Sequence, residues 1–122
     1  MNTPEKHNLL QSCLSKSQEL PFLVEYSTDS IVSKAIIDKP TGTITLFAFD
    51  AGQRLSEHTA PYDAVVQVVD GTGQITIDGK HIDVTKGQII IMPANVPHAV
   101  TANEKFKMLL TMIRGQRQTN SQ

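Results

Sequence analysis

The sequence predicts an all-β protein, a sandwich or barrel built from short strands. Two observations carry this. From Pro21 to Ile113 about ten runs of β-branched and apolar residues follow one another with no long helical period between them. Turn signals separate those runs at regular intervals, which is the pattern of a closed β architecture and not of alternating strands and helices.

The runs are Phe22 to Val24, Ile31 to Ile37, Thr43 to Phe49, Gln53 to Thr59, Ala64 to Val69, Gln74 to Ile77, His81 to Val84, Gln88 to Met92, His98 to Ala102 and Phe106 to Ile113. Between them stand Lys39-Pro40-Thr41-Gly42, Ala51-Gly52, Asp70-Gly71-Thr72-Gly73, Asp78-Gly79, Lys86-Gly87 and the segment from Pro93 to Pro97. Asp78-Gly79 is the sharpest of these, because a two-residue hairpin turn needs positive φ and these residues supply it at little cost. Residues 1–20 are more polar, with Leu9, Leu10, Cys13 and Leu14 spaced as a short apolar stripe. A short helix or arm is expected there, with Thr3 as cap and Pro4 in the first turn. The organisation that follows is an arm over 1–20, one barrel domain over 21–113 and a flexible polar tail over 114–122.

Composition narrows the function classes. The formal net charge is -1 with 19% charged residues, and no concentrated basic stripe marks a nucleic-acid surface. No apolar run approaches a membrane span, and no secretory n-region and h-region open the chain. Cys13 is the only cysteine; it excludes an intrachain disulfide and a paired-cysteine motif, and favours a reducing, cytoplasmic setting. The expectation is a soluble protein that handles a small molecule.

Two stretches hold the chemistry. GQRLSEHTAPYDAVVQVVDG runs from Gly52 to Gly71 and GQIIIMPANVPHAV from Gly87 to Val100; each joins a turn glycine to an extended run and carries one histidine, His58 or His98. With His58 facing inward, strict alternation places Gly52, Arg54, Ser56 and Ala60 on its side, and Gln53, Leu55, Glu57 and Thr59 on the other. His98 then shares a side with Val100 and Ala102, while Phe106, Met108, Leu110 and Met112 form an apolar wall. A greasy cup with a few polar groups at its mouth is the usual form of a small-molecule site. Arg54 is a candidate anchor for a carboxylate or phosphate through its forked donors, and equally a solvated strand-end charge. Tyr62 is either a hydrogen-bond donor to a ligand or a rim aromatic beside Pro61. His81 and His7 read as surface residues, and Pro93 to Pro97 as a rigid loop that delivers His98.

These two stretches resemble the paired motifs of the cupin superfamily, in particular its small conserved-barrel (cupin 2 type) members. The first family motif is G, five residues, H-x-H, three or four residues, E, six residues, G; the second is G, five residues, P-x-G, two residues, H, three residues, N. Here Gly52, His58 and Gly71 fill the first, and Gly87, Pro93 and His98 the second. The departures are Ala60 for the second histidine, Ala64 for the glutamate, Asn95 for the second motif's glycine and Ala102 for its asparagine. The resemblance implies a jelly-roll barrel of the double-stranded β-helix type and a pocket centred on His58 and His98. It also implies one divalent metal ion, Fe, Mn, Ni or Zn, in a ligand set that is depleted here.

Asp63, next to the vacated glutamate position, would restore two histidines and a carboxylate if a bulge near Pro61-Tyr62 turned it inward. Two functions are therefore expected. One is a binding module in which Arg54, His58, Tyr62 and His98 orient a small molecule. The other is a metal-dependent enzyme of dioxygenase, isomerase or decarboxylase type acting on an oxygen-rich metabolite. The resemblance, together with the apolar runs Phe22 to Val24 and Ile31 to Ile37, also implies a homodimer with those segments near the interface.

Overall fold

The computed structural model describes residues 8–114. Thr3, Pro4 and His7 of the expected arm, and the tail past Arg114, lie outside the described residues. The strands are β1 (Ile31–Lys39), β2 (Gly42–Phe49), β3 (Arg54–His58), β4 (Ala64–Ile77), β5 (Lys80–Thr85), β6 (Ile89–Met92), β7 (His98–Thr101) and β8 (Phe106–Ile113). One turn of helix, α1 (Leu10–Cys13), and a 3-10 turn at Leu20–Leu23 precede them. Every strand pairing is antiparallel.

The long strand β4 organises the barrel because it belongs to two sheets. Its first half pairs with β6 and β8, and β8 continues through β2 to β1; its second half pairs with β5 and β7, and β7 leads to β3. The sheet thereby curls on itself with a jelly-roll arrangement of strands. This corrects one expectation. Asp70-Gly71-Thr72-Gly73 does not reverse the chain but lies inside β4, at an irregularity after Val68 where the strand passes from one sheet to the other.

The glycines there serve close approach. Gly71 has φ +72, and a Cβ on it would stand 2.3 Å from the Lys105 carbonyl oxygen; a Cβ on Gly73 would stand 2.4 Å from the Phe106 ring. A side chain at either position would collide with β8. Asp78-Gly79, by contrast, forms the expected hairpin turn between β4 and β5, with φ +51 and +82.

The interior is apolar and tightly filled. Phe49 and Phe106 stack with ring centroids 4.7 Å apart, surrounded by Val66, Val68, Ile75, Val100 and Met108. Each such side chain contributes about 1.5–3 kcal/mol by leaving water. Along β8 the expected apolar face is present: Phe106 and Met108 are buried, and Leu110 and Met112 pack against the same core.

The segment before β1 differs from the expectation of a strand over Phe22 to Val24. It forms the 3-10 turn instead, with Pro21 at its start, because proline lacks the N–H that a strand ladder uses. Val24 then seats against Leu46 and Ala48 on the outer face of β2. Two polar contacts hold the segment down: buried Lys107 donates from Nζ to the Pro21 carbonyl at 2.5 Å, and the Tyr26 hydroxyl donates to Asp70 Oδ2 at 2.6 Å. Much of the apolar material in β1 is used within the chain, Ile31 against the main core and Val32 and Ile36 beneath the N-terminal segment.

Candidate functional site

His58 and His98 meet. They are direct cross-strand partners at the end of the β3–β7 ladder, and their rings lie edge to face with centroids 4.4 Å apart. His98 is buried, 4% exposed, whereas His58 reaches solvent. The pair therefore bridges the buried interior and the solvent edge.

How β3 delivers His58 was not legible in strict alternation. Arg54 pairs with Thr101 and Leu55 with Val100, but His58 pairs with His98, so β3 spends three residues where β7 spends two. This bulge changes the parity. Leu55 lies across from buried Val100 and packs on the core, and His58 points inward with it. Arg54 falls on the opposite side, opposite Thr101, in a surface cleft with Glu57 and His81. The expectation that Arg54 shares the histidines' side is thus corrected.

His98 is placed by the loop before it. Asn95 takes φ +64 where the family motif has glycine, a conformation asparagine tolerates better than most residues. Three bonds pin this loop: the Asn95 N–H to the Ala60 carbonyl (2.7 Å), the Ala94 N–H to Asp63 Oδ1 (2.8 Å) and the Asp78 N–H to the Pro97 carbonyl (2.9 Å).

The same bonds settle Asp63. It is exposed, and its carboxylate caps the loop backbone instead of joining the histidines. Tyr62 also lies elsewhere, in an outer hollow with Asp63, Ile91 and Ile113, its ring 5.9 Å from the Arg114 guanidinium carbon. Among the described residues no three His, Cys, Asp or Glu side chains come together as a metal-ligand cluster. The third and fourth family positions are apolar. Ala64 is buried between its strand partners Met92 and Met112, and Ala60 contributes only its carbonyl to the loop.

Both imidazoles fold back on their own chain in the same way. His58 Nδ1 lies 2.9 Å from the Ser56 carbonyl oxygen, and His98 Nδ1 lies 3.2 Å from that of Val96. A carbonyl oxygen only accepts, so in the neutral rings each Nδ1 carries the proton and donates, leaving each Nε2 with a free lone pair. The site consequently presents two acceptors. Burial holds the His98 imidazole below the usual histidine pKa; the neighbouring His58 adds to this, and the bond to Val96 opposes it.

Comparison with known proteins agrees with this architecture. The family model described as the cupin domain matches residues 45–114, more than half the chain. A conserved protein of unknown function from Streptococcus pyogenes is 36% identical, with a TM-score of 0.80 over 84% of this chain and 90% of that one. A cupin 2 conserved barrel domain protein from Leptotrichia buccalis is 45% identical, with a TM-score of 0.75 over 77% of this chain and 46% of that one. A salicylate 1,2-dioxygenase from Pseudaminobacter salicylatoxidans is 19% identical, with a TM-score of 0.63 over 68% of this chain and 26% of that one. That last likeness is one of fold alone. No curated protein matches the sequence. No helix among the described residues is long and apolar enough to cross a membrane. By the extent of the matched model, and by the barrel that carries its two motif histidines, this chain belongs to the cupin family.

Proposed function

We propose that the protein is a small-molecule-binding cupin in which His58 and His98 receive the ligand, and that the barrel over 21–113 acts as one domain in the cytoplasm. The observation that carries this reading is the matched placement of the two rings, each with Nδ1 against a backbone carbonyl. With both Nδ1 protons committed to backbone carbonyls, the two Nε2 atoms accept hydrogen bonds from the hydroxyl or amine protons of a ligand. The buried ring, held neutral, keeps its acceptor at physiological pH.

A divalent cation is the other partner for such lone pairs, and backbone-anchored imidazoles are the usual orientation of metal-bound histidine. The donor set nevertheless falls short: two imidazoles, a carboxylate engaged elsewhere and two alanines supply neither a four-ligand zinc site nor two histidines with a carboxylate. No catalytic step through a metal follows from these residues. The metal-dependent enzyme rests on the fold it shares with the dioxygenase, which does not transfer an activity.

Two measurements decide between the readings. Metal analysis of the purified protein should give well under one equivalent of any transition metal, unchanged in His58→Ala and His98→Ala. Imidazole 15N spectra should show the Nδ1–H tautomer for both rings. One equivalent of metal, lost in both variants, would refute the binding-module reading in favour of the enzyme.

The reading includes a homodimer. Supporting it is Phe22, 76% exposed on the turn that precedes β1, a large apolar side chain left in water. Light scattering at micromolar concentration should return twice the chain mass, and Phe22→Asp should shift it towards the monomer. A monomer mass for the unaltered chain would end this part of the reading.

A further inference from the structure

The outer face of the strands that carry the two histidines holds a second cluster. β3, β7, β4 and β5 run side by side, so outward side chains form rows across them. Arg54, Thr101 and Gln74 make one row; Ala99, Thr76 and His81 make the next. Ala99 sits mid-row and ends at its Cβ. Around this small residue lies a cleft of about 370 Å³ walled by Arg54, Leu55, Ser56, Glu57, Thr76, His81 and Thr101, a volume suited to a small metabolite.

The β3 bulge gives this cleft its charges. Residues three apart on a regular strand face opposite ways, yet Arg54 and Glu57 line the same hollow because the extra residue stands between them. A bare anion in the cleft would meet the Glu57 carboxylate, and a bare cation the Arg54 guanidinium. A molecule with both charges on separate groups satisfies both. Among the remaining polar groups, Thr76 Oγ1 lies 2.7 Å from His81 Nδ1, which orients the ring and leaves Nε2 for a ligand.

We propose that this outer cleft binds a small zwitterion of the α-amino-acid class, with its carboxylate on Arg54, its ammonium on Glu57, and polar side-chain atoms on His81 and Thr101. The site is separate from the histidine pair, since the backbone of β3 and β7 stands between the two.

The test is an NMR titration of the full chain with an equimolar mixture of the standard L-amino acids, then with its members singly. Acetate, methylammonium and inorganic phosphate serve as comparisons. Saturable shifts are expected at the backbone amides of Arg54, Ala99 and Thr101, and both acetate and methylammonium should bind about tenfold or more weakly, as expected for loss of one charge-assisted contact. Ala99→Met, which fills the hollow, should abolish the shifts; Arg54→Gln and Glu57→Gln should each weaken them about tenfold. His58→Ala should leave them in place, which separates this site from the inner one. Absence of saturable shifts with the mixture, tighter binding of phosphate than of any amino acid, or binding that survives both Ala99→Met and Arg54→Gln would overturn the proposal.

Discussion

The inner and outer faces of β3 and β7 present opposite chemistry from one stretch of backbone. Inward lie Leu55, His98 and Val100, mostly shielded from water, and His58 beside them at the solvent edge, with two ring nitrogens tied to carbonyls. Outward lie Arg54 and Glu57, open to solvent, and half-buried Thr101. A single extra residue in β3 sorts them. The lesson is energetic: a charge on the outer face is screened and costs little, whereas a charge on the inner face must displace hydrophobic contacts and lose its hydration.

The most damaging way to break this division is Val100→Arg, which removes a buried contact opposite Leu55 and directs a guanidinium inward. A stability loss on the order of 5 kcal/mol is expected by chemical denaturation, from lost burial plus desolvation of the charge. Near-unaltered stability would mean that the inner face of these strands accepts a charge. Phe106→Ala comes next. Removing the ring stacked on Phe49 should cost about 4 kcal/mol, while Lys80→Ala beside the exposed hairpin turn should stay within about 0.5 kcal/mol. Similar losses at both positions would erase the contrast between inside and outside.

A smaller effect separates the faces by pH. His98 has a depressed pKa because it is buried, so the unfolded chain binds a proton more readily than the folded one. Its contribution to stability is complete above about pH 6.5, the ordinary histidine value, and is lost as pH falls through the folded-state pKa. Denaturation midpoints should therefore fall below pH 6.5, and His98→Gln should flatten that part of the profile; an unchanged slope in the variant would place the titration elsewhere. The smallest expected change is Arg54→Ala, within about 0.5 kcal/mol, as for other solvated charges. A loss of several kcal/mol there would put Arg54 back inside.

Much of this was legible from one sequence. The glycine-bounded motifs located both histidines, because each motif pairs a turn with an extended run and such patterns survive into the fold. The Asp78-Gly79 hairpin was equally direct, since positive φ at two successive residues is a local demand. Asp70 to Gly73 misled for the opposite reason: its glycines answer the nearness of Lys105 and Phe106, more than thirty positions away. Arg54 misled because period-two reasoning fails at a bulge that only the pairing with β7 reveals. Asp63 was placed as a ligand by its adjacency to the glutamate position and a bulge supposed near Pro61-Tyr62, and the N–H of Ala94, thirty-one residues on, claims it instead.

The chain by itself determined an all-β barrel, most of its turn positions and the two motif histidines, since these follow from backbone preferences and from the spacing of each motif. Only the folded molecule decided which side chains share a face, because facing depends on strand register and on close contacts between segments distant in sequence. The committed Nδ1 protons, the carboxylate drawn away to the loop and the charged cleft on the outer wall all belong to that second category.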